Sequence, residues 1–334
     1  MFYNHKIAVV IPTFRAEKWI AGVIRSIPSY VDYILVVDDK SPDRSADEAS
    51  AVGDPRVLLL RHKKNRGVGG AMVTGFGKAL ELEADIIVKM DSDGQMNPDY
   101  LCALLYPLAM KECDYAKGNR FSFIHQNHTM PLLRKIGSQA LTFLTKMASG
   151  YWHIFDPQNG YLAIRTDVLR RIRLEWIDPS YFFENSMLLN LNIIEARTAD
   201  VSIPSRYGDE ESSMSLFWVL RKFPGKLLRG YFHRIFYRYV YRDISPVSIM
   251  LALGSLLMTT GLVIGLVAWY KSLFYSQPIV LGTLALGLVP IIMGFQLLLN
   301  GLILDVQQTP AGLQKVYDFT KKDLARIHAG NISL

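Results

Sequence analysis

The chain has 334 residues, 50% of them hydrophobic, and a formal net charge of +7. This length provides one large domain plus an appendage, and two cysteines exclude a disulfide-stapled scaffold and suit a reducing compartment. The positive charge accompanies no nucleic-acid motif and is concentrated beside an apolar stretch, which points to anionic lipid headgroups rather than to nucleic acid.

Met1–Lys6 leads straight into a short apolar strand, so no signal peptide is expected. Ile7–Ile11 predicts a strand, Glu17–Ile27 a helix, Tyr33–Val37 a strand, Asp43–Ala51 a helix and Val57–Leu60 a strand. Val68–Leu82 then predicts a helix, Asp85–Met90 a strand, and Pro98–Met110 a helix with proline in its first turn. This alternation predicts an α/β domain with a mostly parallel sheet and helices on both faces. Such sheets bind ligands beyond the C-terminal ends of their strands. Pro12-Thr13, Asp38-Asp39 and Asp91-Ser92-Asp93 all fall at such ends.

The next segment is less regular, with helices predicted over Leu132–Met147 and Asn185–Arg197 and strands over Gly160–Arg165 and Val201–Ile203. Lys222–Tyr241 is amphipathic. Leu228, Phe232, Ile235 and Tyr239 share one face and Arg234, Arg238 and Arg242 recur every fourth residue, as expected of helices lying on a membrane surface.

No charged residue occurs from Ile244 to Tyr270 or from Ser272 to Leu304, and each stretch exceeds the roughly 20 residues that cross a bilayer as a helix. Spans are expected at about Val247–Tyr270 and Ile279–Leu304. Pro290 is tolerable inside the second. Gly261 and Gly265 form a small-xxx-small pair that lets helices approach and leaves room for a homo-oligomer. The linker Lys271–Pro278 holds one lysine, whereas residues 221–242 hold seven Lys and Arg and the tail adds Lys315, Lys321, Lys322 and Arg326. The positive-inside rule then places the N-terminal domain and the tail in the cytoplasm. The expected division is a catalytic domain over 1–215, amphipathic juxtamembrane helices over 216–243, two spans within 244–304 and a cytoplasmic tail over 305–334.

Asp91 and Asp93 sit one residue apart after a buried strand, a costly arrangement unless a cation neutralises them. The loop is not an EF-hand, because glycine stands at its fourth position rather than its sixth and no glutamate occupies the twelfth. A few hard oxygen ligands suit Mg²⁺ or Mn²⁺ shared with phosphates. Asp38 or Asp39 can accept hydrogen bonds from a ribose or a base, unless helix capping is their task. Gly67-Val68-Gly69-Gly70 departs from the dinucleotide fingerprint at Met72 and follows the third strand rather than the first. A close backbone approach to a nucleotide, or a tight turn into the helix, explains it better.

These stretches resemble the family-2 glycosyltransferases, and within them the polyprenyl-phosphate sugar synthases of the dolichol-phosphate mannosyltransferase type. The resemblance covers roughly residues 6–216. It rests on Val10–Phe14 with Glu17, Val37–Asp43, Asn65–Ala71, Met90–Gln95 with Pro98, Gly118–Arg120 and Asp156–Gly160, in this order. It implies a GT-A, Rossmann-like nucleotide-sugar domain. Pro12, Thr13, Glu17 and Asp39 or Asp38 would contact the nucleoside, with Gly67, Gly69 and Ser92 beside the nucleotide. Asp91, Asp93 and Gln95 would hold Mg²⁺ or Mn²⁺ and, through it, the diphosphate. Arg120 would face phosphate, and Asp156 and Asn159 the sugar.

The resemblance therefore implies inverting, metal-dependent transfer from a UDP- or GDP-linked sugar to a polyprenyl phosphate. The stretch Tyr207–Leu216 lacks the arginine and Ser-Lys pair common in dolichol-type enzymes, so acceptor phosphate contacts are assigned to Arg120, Arg206, Arg221 or Lys222. Transfer to a hydroxyl of a lipid-linked glycan is the alternative. It requires a base, for which Asp156 and Glu184 are the candidates. The intact Asp91 and Asp93 argue against a non-catalytic scaffold.

Overall fold

The computed structural model describes residues 1–120, 132–204 and 216–330. The chain divides into two compact units, Met1–Tyr231 with Pro310–Leu334, and Phe232–Thr309.

The first unit is built on one sheet. In chain order it contains β1 (Ile7–Thr13), α1 (Ile20–Ser26), β2 (Tyr33–Asp38), α2 (Ser45–Ala51), β3 (Val57–Arg61), α3 (Gly67–Glu81), β4 (Ile86–Lys89), α4 (Leu101–Ala109) and β5 (Tyr115–Asn119). There follow α5 (Leu132–Ser149), β6 (Leu162–Arg165), α6 (Thr166–Leu169), α7 (Phe183–Ile193), β7 (Thr198–Ser202) and α8 (Leu216–Phe236), which continues into the second unit. With β8 (Ala311–Tyr317), the eight strands among the described residues lie in the order β3-β2-β1-β4-β6-β5-β7-β8, and of these β6 alone runs against its neighbours. The strand order reverses at β1, which pairs with β2 on one side and β4 on the other. A crevice opens at such a switch point, beyond the strand ends.

Alternation along β1 explains the two core layers. Ile7, Val9 and Ile11 pack with Ile20 and Ile24 of α1 and with Leu101, Leu104 and Leu105 of α4. Ala8 and Val10 face the other way, toward Met72 and Phe76 of α3 and Phe183 and Met187 of α7. Both strand faces are therefore apolar, the signature of a parallel sheet covered on both sides.

Within the segment expected as a tail, residues 311–317 and 321–328 form regular structure. Near the C-terminus, β8 adds an edge strand parallel to β7, and α11 (Lys321–His328) buries Leu324 and Ile327 in the layer of α4. Tyr317 donates to Glu112 Oε2 at 2.6 Å, and Thr320 and Asp323 form a capping box at the start of α11. The sequence hides this strand because Leu313–Val316 are all exposed, as an edge allows.

In the second unit, α9 (Pro246–Tyr275) and α10 (Leu281–Gln307) have 30 and 27 residues and are long and apolar enough to cross a membrane. Leu256, Leu266, Trp269, Leu286, Ile292 and Phe295 are all exposed, unlike the helices of a soluble core. The helices touch along glycines seven residues apart. Gly254 meets Gly294, Gly261 meets Gly287, and Gly301 meets Leu251. Both members of the predicted small pair lie in this seam: a Cβ on Gly261 would collide with Gly287 O, and one on Gly287 would touch Gly265 N and Cα at 3.6 and 3.7 Å.

The expected basic, membrane-facing side of residues 222–241 needs correction. Arg234 and Arg238 are buried, as is Tyr239. The exposed apolar stripe is Leu228, Phe232 and Phe236. Tyr237–Tyr241 forms a π-helical turn, with Arg242 N donating to Tyr237 O at 3.1 Å, and what buries Arg234 ahead of it is an acidic partner. Arg234 donates from Nη1 and Nη2 to the two oxygens of Asp305, both at 2.7 Å, and Tyr239 donates to Asp305 Oδ1 at 2.6 Å.

Candidate active site

At the ends of β1 and β2, Pro12 and Thr13 are buried, and Thr13 Oγ1 donates to Ile11 O at 3.1 Å. The loops that follow are braced against each other. Glu17 Oε2 accepts from Arg44 N at 3.1 Å, Asp43 Oδ2 accepts from Glu17 N at 3.2 Å, and Ser41 N donates to Asp38 Oδ1 at 3.2 Å. Glu17 is exposed beside this brace, at the crevice.

Asp39 does structural work that its sequence position did not reveal. It is 3% exposed. Its Oδ1 accepts from Arg66 N at 2.8 Å and lies 2.7 Å from His62 Nδ1, while Oδ2 accepts from Gly67 N at 2.7 Å. The carboxylate thus sits on the N-terminus of α3, where the amides and the helix dipole favour a negative charge.

The glycines themselves serve packing. Gly67 adopts φ +78°, which favours glycine. A Cβ there would collide with Pro179 O, and one on Gly69 with Asp178 O. Gly69 N donates to Pro179 O at 2.9 Å. The expected close backbone approach is real, but its partner is the chain at Asp178–Pro179.

The end of β4 carries the acidic motif. Asp91, Ser92, Asp93 and Gln95 are all partly exposed, and Gln95 N donates to Asp93 Oδ1 at 3.0 Å across a turn at Gly94 (φ +77°). Behind them, Lys89 is only 2% exposed and lies between two carboxylates, Asp91 Oδ1 at 2.5 Å and Glu184 Oε1 at 3.3 Å. Burial alone would lower its pKa, but the charges of Asp91 and Glu184 outweigh burial and hold it above the ordinary lysine value. Gly160 leaves the room for this pair, since a Cβ there would collide with Lys89 Nζ and Asp91 Oδ2.

At the ends of β5 and β7, Arg120 forms a bidentate pair with Asp156, Nε to Oδ2 at 2.7 Å and Nη2 to Oδ1 at 3.1 Å. Asp156 is 2% exposed, whereas the Arg120 side chain remains 42% exposed. Asn159 turns inward, donating to Gly118 O at 2.8 Å and accepting from Tyr161 N at 3.0 Å. The buried Lys117 ammonium donates to Asn159 O, and burial pulls its pKa down to about 8. Asp200 accepts from Asn119 Nδ2 at 3.0 Å and Phe155 N at 2.8 Å, and burial pushes its pKa up to about 7.

Of the acceptor candidates, Lys222 is exposed on α8, while Arg206 and the side chain of Arg221 lie outside the described residues. Sequence reasoning missed Lys89, Lys117 and Asp200. The one signal it offered was a lysine inside each of two short buried strands.

His153, with Nε2 2.9 Å from Thr198 O, is pushed down by burial to about 4. Between pH 6.5 and 4 the unfolded chain binds a proton here that the folded protein refuses, so this contribution to stability is complete above 6.5 and falls on acidification. His153→Gln is expected to remove that dependence. Thermal unfolding from pH 7 to 4 should show wild type losing about 3 kcal/mol relative to the variant, from 1.36 kcal/mol per pKa unit.

The model of glycosyl transferase family 2 matches residues 8–173, from β1 to just past α6. The UDP-N-acetylglucosamine–dolichyl-phosphate N-acetylglucosaminyltransferase of Methanococcus voltae is 30% identical over 214 residues, covering 58% of this chain and 85% of that protein. The chain belongs to glycosyl transferase family 2. Another relative, the undecaprenyl-phosphate mannosyltransferase of Micrococcus luteus, is 32% identical over 204 residues, covering 59% of this chain and 82% of that protein. Glucosyl-3-phosphoglycerate synthase of Mycobacterium tuberculosis, solved with Mn²⁺, UDP and glucosyl-3-phosphoglycerate, shares the GT-A fold. Its TM-score is 0.52 at 19% identity, over 69% of this chain and 80% of that one.

As a family-2 glycosyltransferase, the chain is an enzyme of sugar transfer, and its acidic motif can be tested for fit to a divalent cation. Asp91, Asp93 and Gln95 offer only oxygen donors of the hard type. Among the described residues no group of three or more His, Cys, Asp or Glu side chains converges as a metal site. Few protein ligands suit Mg²⁺ or Mn²⁺, which complete their shells with phosphate oxygens and water.

Proposed function

We propose that this enzyme transfers a sugar from a UDP- or GDP-linked donor to a polyprenyl phosphate, with inversion at the anomeric carbon, at the cytoplasmic face of a membrane. The observation that carries this reading is the state of the two candidate bases. Asp156 is held in a bidentate pair by Arg120, and Glu184 is paired with the buried Lys89. A hydroxyl acceptor needs a base to take its proton. A phosphate monoester is already anionic near neutral pH and does not. The names of the Methanococcus and Micrococcus relatives, one dolichyl-phosphate and one undecaprenyl-phosphate transferase, support the same acceptor class.

In this reading the nucleoside lies against Pro12, Thr13, Glu17 and Asp38, at the switch point of the sheet. Asp91, Asp93 and Gln95 would hold the Mg²⁺ or Mn²⁺, which supplies Lewis-acid stabilisation of the leaving diphosphate. Arg120, fixed by Asp156 yet open to solvent, presents a guanidinium for phosphate. One acceptor phosphate oxygen attacks the anomeric carbon while the nucleoside diphosphate leaves from the opposite face. Two spans, α9 and α10, would return the chain to the side of the bilayer from which it entered. The basic residues of 221–242, with Lys315, Lys321, Lys322 and Arg326, make that side cytoplasmic.

Purified protein in detergent, given labelled UDP- and GDP-sugars with Mg²⁺ or Mn²⁺, should move label into the organic phase with a polyprenyl phosphate. The corresponding polyprenol should accept none. Equal transfer to the polyprenol would overturn this acceptor assignment.

A further inference from the structure

We propose that Lys89 and Glu184 are positioning residues for Asp91: the buried ammonium, anchored by Glu184, holds one oxygen of the Asp91 carboxylate and so aims the other at the cation and diphosphate of the donor. The inference rests on the metal-dependent donor binding proposed above.

Lys89 ends β4, two residues before Asp91, and its 2% exposure removes it from any direct contact with bulk solvent. A buried ammonium persists only when paired, and here the pair is double, Asp91 Oδ1 at 2.5 Å and Glu184 Oε1 at 3.3 Å. The Asp91 side chain remains 32% exposed, so its carboxylate spans the boundary between the interior and the crevice. Gly160 closes the third side, where any side chain would displace both Lys89 Nζ and Asp91 Oδ2. Asp91 is therefore held by a lysine from the strand that precedes it, and that lysine by a glutamate from α7. Outer partners of this kind orient a metal ligand, and losing them costs about 10–100-fold in metal affinity.

The test measures Mn²⁺ binding to the full chain in detergent, by the electron paramagnetic resonance signal of free aquo-Mn²⁺, with UDP or with GDP present. Lys89→Met is expected to weaken Mn²⁺ binding about 10–100-fold. Glu184→Gln should weaken it less, and should add nothing in the Lys89→Met background, because Glu184 acts only through Lys89. Lys89→Met leaves the Glu184 carboxylate without its partner and the double variant removes that charge, so circular dichroism of both variants separates loss of binding from loss of fold. A folded double variant that binds Mn²⁺ as tightly as wild type overturns the inference, and so do additive losses. Wild type that binds Mn²⁺ with neither nucleotide overturns the metal reading and this inference with it. Unchanged variants beside a binding wild type remove this inference alone.

Discussion

Asp93→Ala is expected to lower kcat/KM for sugar transfer about 10³-fold, equivalent to about 4 kcal/mol of transition-state stabilisation. In the proposed reading the departing diphosphate gathers negative charge, which a cation held by Asp91 and Asp93 would offset. Asp93 lies in a partly exposed turn and accepts a backbone hydrogen bond from Gln95, so the loss should appear in turnover rather than in folding. Steady-state kinetics at saturating Mn²⁺, with a thermal melt of both proteins, separates the two. A variant within threefold of wild type would remove Asp93 from the reaction.

Asp305→Ala is expected to have the largest effect on stability, about 3–5 kcal/mol, because it leaves an uncompensated buried charge. Arg234 is fully buried, and both of its paired Nη atoms meet Asp305, which Tyr239 also contacts. The double variant Arg234→Met/Asp305→Ala should recover most of the loss, since neither buried charge then remains. Thermal unfolding of the three proteins in one detergent measures this. Equal loss in the single and double variants would show that the pair acts through packing rather than charge.

The central fold was legible where physics made the sequence simple. β1, β2 and β4 are covered on both faces and read as continuous apolar runs. β5 did not, because Lys117 and Gly118 interrupt its five buried residues, and what lets the lysine stay buried is Asn159 O, far along the chain. β8 was missed for the opposite reason, since an edge strand exposes residues that a core strand would bury. The acidic motif stands out because two carboxylates after an apolar strand need a counter-charge, and for Asp91 the structure supplies one in Lys89. The tasks of Asp39, Lys89 and Glu184 were not legible, because each depends on a partner that only folding brings near: the amides of Arg66 and Gly67 for Asp39, and one another for the other two. The basic face of residues 222–241 was misread because the partner that lets Arg234 be buried, Asp305, lies far along the chain.

The most direct measurement is ³¹P nuclear magnetic resonance of the lipid product purified from a reaction with polyprenyl phosphate. The account predicts that the acceptor's phosphate monoester signal is replaced by that of a phosphodiester, joined to a sugar whose anomeric configuration is opposite to that of the donor. A product that keeps its monoester and carries the sugar on a hydroxyl would contradict it.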